Sequence, residues 1–307
     1  MTGESSTAVR SSRRYAVAGA EIEAPPLAGG LYVVATPIGN LRDVTLRALE
    51  VLAAADAIAC EDTRVTRRLT EHYGIATPLT PYHEHNAAEA RPKILGRLAA
   101  GERIALVSDA GTPLISDPGF KLLREASEAG HAVTAVPGAS SVLAALSVAA
   151  LPTDRFFFEG FLPPKQTARQ KRIAELARVP ATLVLFETGP RMAAALADLA
   201  EGLGSRTAAI CRELTKLHEE VRRDDLPKLV RHYAGDAETR GEFVLVIAPP
   251  AEEDTDDIDV DALLRAALAR TSVKDAVGEV TMATGLSRRD VYQRALELAK
   301  EAGDGAA

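Results

Sequence analysis

The chain has 307 residues, of which 47% are hydrophobic and 26% charged, a composition typical of a globular protein large enough for two domains. Its two cysteines, Cys60 and Cys211, exclude a disulfide framework and lack further ligands at metal-site spacing, so we expect a reducing, cytoplasmic location and no metal. The formal net charge of −7 argues against a general attraction to nucleic acid, although seven acidic residues between positions 252 and 261 account for this excess.

The first half of the chain predicts an N-terminal α/β domain over residues 29–151. Residues 1–28 are small and polar, lack the apolar core of a secretory signal, and are predicted to be a disordered tail. Strands are then predicted at residues 31–35, 57–60, 104–107 and 131–136, with helical periodicity between them. This alternation predicts a parallel sheet with right-handed crossovers. The uncharged run 132–151 does not predict a membrane span, because it contains Pro137-Gly138 and three serines.

The second half predicts a C-terminal α/β domain over residues 152–250 and a helical tail. Strands are expected at residues 156–159, 182–186, 208–212 and 243–247. Residues 251–257 are a predicted acidic linker. Residues 258–302 predict a small helical unit whose turn at 284–286 separates two helices in a helix-turn-helix-like pattern. We expect this tail to support substrate docking and not the chemistry.

The loops that follow the predicted strands carry the candidate site. The central one belongs to residues 104–119, IALVSDAGTPLISDPG, in which a buried strand gives way to glycine, proline and aspartate. In an open α/β sheet, ligands lie beyond the carboxyl ends of the strands, so we expect these loops to surround one cleft suited to a polar cofactor such as a nucleoside. An ordinary turn, in which Asp109 and Ser116 bond only to local backbone, is the alternative. The dinucleotide-binding and P-loop glycine motifs are both absent.

A series of motifs resembles a known family. LYVVATPIGNL, CEDTR, SDAGTPLISDPG, VPGASS, FEGFLP, RELTKLHEE and GEFVLVI, in this order, are similar to the bacterial 16S rRNA ribose 2′-O-methyltransferases of the tetrapyrrole methylase superfamily. The resemblance covers residues 30–249, and the tail also resembles the family's. One departure is Thr188-Gly189-Pro190-Arg191, where members often carry Ser-Pro-His-Arg, which puts an essential role for that histidine in doubt.

The resemblance implies an α/β fold with two domains of the tetrapyrrole-methylase type, a cofactor cleft between them and a small C-terminal helical unit. It also implies S-adenosylmethionine as cofactor, a homodimer, and methylation of the ribose 2′-hydroxyl of a cytidine in the decoding region of 16S rRNA within the small ribosomal subunit. Matched motif by motif, the implied cofactor residues are Pro37, Ser108, Asp109, Ala110, Gly111, Ser116, Ser140, Ser141, Thr188 and Leu214. Asp109 is the candidate carboxylate beside the positively charged sulfur.

Two further groups of residues are candidates for the reaction. The hydroxyl that accepts the methyl group must lose a proton, and the candidate bases are Glu61, Asp62, His83 and Glu84. Capping of the following helix is the alternative for Glu61 and Asp62. The candidate contacts to RNA phosphates are Arg64, Arg67, Lys165, Arg169, Lys171, Arg172, Arg191 and Lys216. A plain surface charge is the alternative for each of them.

Two other functions are compatible with this sequence. One is a methyltransferase for a tetrapyrrole or another small molecule, against which the basic segment 165–172 and the helical tail favour RNA. The other is a non-catalytic protein that binds RNA or the ribosome. The intact loop 108–119 argues against it, because such a protein has no need of a cofactor loop.

Overall fold

The computed structural model describes residues 13–116, 119–235, 237–251, 259–284 and 286–304, which form two five-stranded sheets with the helices that pack on them, a two-stranded sheet, and three further helices in a separate unit. Both sheets belong to a compact unit that ends at Pro250, and a second unit begins at Ala251. Residues 1–12 of the predicted N-terminal tail lie outside these ranges. So does the predicted linker, apart from Ala251. No described helix is both long and apolar enough to cross a bilayer.

The first sheet is parallel throughout, as predicted. The strands of this half are β1 (Arg14–Val17), β2 (Ala20–Glu23), β3 (Gly30–Val34), β4 (Ala57–Cys60), β5 (Leu79–Pro81), β6 (Arg103–Val107) and β7 (Val133–Val136). The helices are α1 (Leu46–Ala54), α2 (Thr63–His72), α3 (Ala87–Ala99), α4 (Phe120–Glu128) and α5 (Ser141–Ala149). The strand order is β5-β4-β6-β3-β7. Because helices cover both faces, every residue of β3 and β4 is buried, which explains their unbroken apolar runs.

The second sheet is mostly antiparallel. Its strands are β8 (Phe156–Phe161), β9 (Thr182–Thr188), β10 (Thr207–Arg212), β11 (Glu220–Asp225) and β12 (Glu242–Ile247), with helices α6 (Gln166–Leu176), α7 (Gly189–Leu203) and α8 (Leu226–Tyr233). The order is β11-β10-β12-β9-β8, and only β8 and β9 run parallel. The sequence pattern misses β11, because Glu-Val-Arg-Arg-Asp-Asp is polar and this edge strand is held by backbone pairing to β10.

Helix α5 joins the two sheets. Its residues Val142, Ala145 and Leu146 share one buried apolar cluster with Val184 of β9 and Val244 of β12. One face of this helix of small and apolar residues is therefore buried against the second sheet, whereas Leu143 on another face is 57% exposed. The carboxyl ends of the parallel strands β3 and β6 consequently face elements of the second sheet, and a cleft lies between them.

The prediction of disorder over residues 1–28 is wrong for residues 14–23. Strands β1 and β2 pair as an antiparallel hairpin, in which Tyr15 is only 3% exposed. The backbone N–H of Ala16 donates to the carbonyl of Tyr73 at the end of α2 (2.7 Å), and Arg13 pairs with Asp56 (2.6 Å). Composition alone misjudges this segment, because its few apolar side chains pack on α1 and not on one another.

The ion pairs of Asp56 should make the stability of the protein depend on pH. Burial alone would raise the pKa of Asp56, but hydrogen bonds and charges from Arg103 and Arg13 lower it from 3.8 to about 2. A carboxylate with a lowered folded-state pKa stabilises the protein above its unfolded pKa and ceases to do so as the pH falls through the folded pKa. We therefore expect the excess stability of the wild type over Asp56→Asn, measured by urea unfolding, to be constant near neutral pH and to shrink between about pH 4 and about pH 2. A difference that stays constant across this range would contradict the assignment.

The tail forms its own small core. It consists of α9 (Val260–Leu268), α10 (Val273–Thr284) and α11 (Arg288–Asp304). Apolar side chains from all three helices are buried together, among them Leu264, Val277 and Val291. Arg294 of α11 pairs with Asp261 of α9 (2.5 Å). The helical unit expected from the sequence is therefore present.

Candidate functional site

A cavity of about 310 Å³ lies between the two sheets, and we call it the first cavity. Its size falls in the range of small-molecule sites. One wall comes from the loops after β3 and β6 and from the start of α5, and the other from β8, β9, β10, β12 and the turn after β10. The lining residues are Ile38, Ala110, Gly111, Thr112, Ile115, Ser116, Ser140, Ser141, Val142, Phe161, Phe186, Glu187, Thr188, Cys211, Leu214, Gly241, Glu242, Phe243 and Val244.

The loop after β6 is fixed by backbone contacts with the loop after β3. Thr36 and Gly111 exchange two backbone hydrogen bonds (2.9 and 3.1 Å), and the Thr36 hydroxyl donates to the carbonyl of Ser108 (3.2 Å). Leu114 and Ser116 have φ angles of 76° and 66°, a backbone conformation that residues other than glycine rarely adopt. Such strain persists only where the surroundings impose it, and it is common at ligand sites.

The opposite wall is held by a similar arrangement. Glu213 and Thr215, with φ angles of 51° and 65°, flank Leu214 and direct it into the cavity wall. Lys216 pairs with Glu213 (2.8 Å) and with Glu242 (2.9 Å). This ion-paired turn closes the cavity on the side of the second sheet.

Glu187 is a site residue that the sequence reasoning missed. Its side chain is 2% exposed, and Oε1 accepts from the backbone N–H of Thr188 (2.8 Å) and lies 3.2 Å from Arg191. Within the described residues, Oε2 is buried without a hydrogen-bond partner. A buried carboxylate oxygen without a partner, in a cavity wall, is a candidate contact for a cationic group of a ligand. The sequence feature that could have identified Glu187 is its position directly after the apolar run 183–186.

Cys211 also lines the first cavity. Burial raises the pKa of its thiol to about 11. The side chain is therefore a neutral, weakly polar part of the wall at physiological pH, and not a nucleophile.

A second cavity, of about 380 Å³, adjoins the first. It lies between the loop after β3, helix α2 and the loop after β6, and Lys216 and Glu242 complete it. Its lining residues are Thr36, Pro37, Ile38, Gly39, Leu41, Val65, Thr66, Arg68, Leu69, Ser108, Asp109, Ala110, Lys216 and Glu242. Ile38, Ala110 and Glu242 line both cavities, so the two spaces share a wall.

The predicted cofactor residues divide between these cavities. Seven line the first cavity, namely Ala110, Gly111, Ser116, Ser140, Ser141, Thr188 and Leu214. Pro37, Ser108 and Asp109 line only the second. The hydroxyl of Ser108 is used internally, where it donates to the carbonyl of Ala110 (3.2 Å). The position of Asp109 does not support its predicted role beside the cofactor's sulfur.

The structure brings none of the four predicted bases into the lining of either cavity. Asp62 caps α2 by accepting from the N–H of Arg64 (2.8 Å), and the hydrogen bond from the Arg64 side chain lowers its pKa to about 2, which makes it a poor base. Glu61 is half-buried just before this cap. His83 and Glu84 follow the edge strand β5, two strands away from β6. The roles of Glu61, His83 and Glu84 as bases therefore stay predictions.

Several cations that the sequence predicts to contact RNA are instead bound to other groups of the protein. Arg169 is 5% exposed and pairs with Asp198 at 2.5 Å, so its prediction as an RNA contact is wrong. Arg172 pairs with Glu159 and Glu175. Arg191 donates to the carbonyl of Leu162 (2.6 Å).

The remaining predicted cations are more accessible. Lys216 lines the second cavity within the ion pairs described above. Arg64 is 88% exposed although it pairs with Asp62, and Arg67, Lys165 and Lys171 are exposed.

Comparison with known proteins identifies the family to which this chain belongs. The model of the tetrapyrrole (corrin/porphyrin) methylases matches residues 30–230, and that of the RsmI C-terminal HTH domain matches residues 254–299. The proteins named ribosomal RNA small subunit methyltransferase I from Mesorhizobium japonicum and Erythrobacter litoralis are 49% and 50% identical, over 93% and 90% of this chain and 97% of each relative.

A solved structure agrees on the fold. Uroporphyrin-III C-methyltransferase from Thermus thermophilus, complexed with S-adenosyl homocysteine, superposes with a TM-score of 0.51 at 21% identity, over 72% of this chain and 97% of that one. The two sheets and the cleft between them are thus an arrangement that other methyltransferases share. The match to the family over residues 30–230 and the 49% and 50% identity to two relatives over nearly the whole chain show that this chain is a methyltransferase that belongs to the tetrapyrrole (corrin/porphyrin) methylase family.

Proposed function

We propose that the protein transfers the methyl group of S-adenosylmethionine to the ribose 2′-hydroxyl of a cytidine in the decoding region of 16S rRNA. The observation that supports this substrate is the similarity, over nearly the full length of the chain, to two proteins named for the methylation of small-subunit ribosomal RNA. Membership of the methylase family supports the reaction.

The first cavity suits this cofactor. It combines apolar side chains such as Ile38, Val142 and Leu214, which suit an adenine ring, with the buried carboxylate of Glu187. The cofactor carries two positive centres, its sulfonium and its amino group, and either would satisfy the unpartnered Oε2 of Glu187. When bound, it supplies a methyl group activated by the positive sulfur. The contribution of the protein is to hold donor and acceptor in line, to exclude water and to receive the proton.

Four exposed cations support an RNA partner. Arg64, Arg67, Lys165 and Lys171 are accessible and are proposed to contact phosphates of the small subunit. We also place the enzyme in the cytoplasm as a homodimer. Exposed aromatic side chains on the edge strand β8, Phe156 at 45% and Phe157 at 36%, support self-association, which light scattering of the purified protein would measure.

The function is tested with labelled cofactor. Purified protein is incubated with methyl-labelled S-adenosylmethionine and small ribosomal subunits from cells that lack this modification. We expect label in 16S rRNA, 2′-O-methylcytidine in its nuclease digest, and one modified position in the decoding region. Transfer to a tetrapyrrole would contradict the proposal, as would binding to subunits without transfer, which is the behaviour of a non-catalytic partner.

The role of Glu187 is tested by Glu187→Gln. Glutamine keeps an oxygen that can accept from Thr188 but loses the negative charge, so the dissociation constant for S-adenosylmethionine should rise about tenfold, or on the order of 1.4 kcal/mol. The matched control is Glu128→Gln, which removes a carboxylate that is 66% exposed and lines neither cavity, and which should change the affinity less than about twofold. Isothermal titration calorimetry measures both. Equal affinities in the two variants would show that Glu187 is only structural.

A further inference from the structure

We propose that the second cavity holds the acceptor nucleoside and that Asp109 receives the proton of its ribose hydroxyl. This inference rests on the proposed function and assigns a place and a base to its second substrate. The first evidence is position. Ile38, Ala110 and Glu242 line both cavities, which places the second cavity directly beside the first, and we infer that an acceptor hydroxyl in the second reaches a methyl group held in the first.

The chemistry of the second cavity suits a nucleotide. Leu41, Val65 and Leu69 give one side an apolar surface against which a ribose or a base can pack. Arg68, which is exposed, adds a cation that suits a flanking phosphate, and Lys216, which is paired with Glu213 and Glu242, adds a second positively charged group. A site for a neutral apolar ligand would not need these charges, and a site for a bare phosphate would not need the apolar wall.

Two carboxylates line this cavity, and their surroundings distinguish them. Glu242 is 75% exposed and is paired with Lys216. Asp109 is half-buried, and its Oδ1 accepts from the backbone N–H of Asp62 (3.0 Å). That bond holds the carboxylate through Oδ1, and Oδ2 is the oxygen that we assign to the proton of the acceptor.

The charges around Asp109 are consistent with a base. Burial raises its pKa above 3.8, and the charge of Asp62 acts in the same direction, whereas the Asp62 N–H and Arg64 oppose it. Cys60 of β4 also lies near, and its pKa is raised by burial, so it stays neutral. A carboxylate with a raised pKa accepts a proton more readily than an ordinary one.

The step balances in atoms and electrons. The ribose oxygen forms a bond to the methyl carbon as the carbon–sulfur bond breaks, and the electron pair of that bond stays on sulfur. The hydroxyl proton passes to Oδ2 of Asp109 and later to solvent. S-adenosylhomocysteine and the 2′-O-methylated nucleotide are the products.

The first test is Asp109→Asn, since asparagine can still accept from the Asp62 N–H but is not a base. With unmodified small subunits, kcat should fall by about 10²- to 10⁴-fold. Calorimetry should show the same affinity for S-adenosylmethionine within about twofold, since Asp109 does not line the first cavity. Wild-type kcat in the variant would overturn the assignment of the base. A loss of cofactor affinity would place Asp109 at the donor and overturn it too.

The second test fills the cavity. Val65→Phe should lower kcat/KM for subunits at least tenfold and leave cofactor affinity unchanged. The control is Val133→Phe on β7, since Val65 and Val133 are both 37% exposed but Val133 lines neither cavity. Equal kinetics in both variants would exclude the second cavity as the acceptor site while leaving the proposed function intact. If the wild type instead methylates a tetrapyrrole, the proposed function and this inference both fail.

Discussion

Replacing Arg169 with alanine should lower the free energy of unfolding by about 3–5 kcal/mol. Its guanidinium donates to Asp198 (2.6 Å) and to the carbonyl of Pro164 (3.2 Å). The side chains of Arg169 and Asp198 are only 6% and 4% exposed, so the substitution leaves a buried carboxylate without its counter-charge. The hydrogen bonds from Gln166 and Gln170 to Asp198 remain, but they do not neutralise it.

The same segment provides the controls. Lys165 precedes α6 and Lys171 lies on it, and both are exposed, so alanine at either position should change the stability by less than about 0.5 kcal/mol. Urea unfolding of the three variants measures the contrast. The lysine variants should instead flatten the salt dependence of subunit binding. If Arg169→Ala unfolds like the controls and alters only the salt dependence, the ion pair is not structural and the original RNA assignment stands.

Alanine in place of Gly189 should destabilise the protein by about 3 kcal/mol, the upper part of the range for overpacking. Gly189 is the first residue of α7, and a Cβ built there would overlap the backbone carbonyl oxygen of Thr239. A backbone atom cannot rotate away as a side chain can. The segment that contains Thr239 would have to move, and with it Gly241 and Glu242, which line the first cavity. Weaker binding of S-adenosylmethionine should accompany the loss of stability.

Gly96 provides the matched control. It lies within α3, and a Cβ at this position meets no atom within 4 Å. Gly96→Ala should therefore stabilise the protein by roughly 0.4–1 kcal/mol, because alanine restricts the unfolded chain. Thermal unfolding and cofactor titration of both variants give the comparison. A Gly189→Ala variant with wild-type stability and affinity would show that the 239–241 segment moves freely.

The contact at position 189 accounts for the glycine that replaces proline of the family's Ser-Pro-His-Arg pattern, whereas nothing in the structure explains the proline in place of the histidine at position 190. In this chain, β12 pairs with β9 up to Thr188, and the preceding segment passes directly over the next residue. The local sequence Thr-Gly-Pro-Arg keeps the arginine, which donates to the carbonyl of Leu162. The space that a larger residue would need at position 189 is taken by the backbone of Thr239.

Elements whose signals are local could be predicted from the sequence. The apolar runs that became β3, β4 and β6 are buried on both faces, and the capping residues Thr45 and Ser140 precede α1 and α5. The motifs also located seven of the residues that line the first cavity. These features depend on neighbours in the chain, which is why pattern and propensity could predict them.

Which charged side chains are exposed, and which cavity each residue of a motif lines, depends on contacts between distant parts of the chain. Arg169 and Lys171 lie two positions apart in one basic cluster, yet packing against α7 buries the first beside Asp198 and leaves the second in solvent. Asp109 and Gly111 belong to one motif but line different cavities. Burial, ion pairing and cavity shape arise from groups far apart in the chain, because their positions are fixed only when the helices and the two sheets pack together.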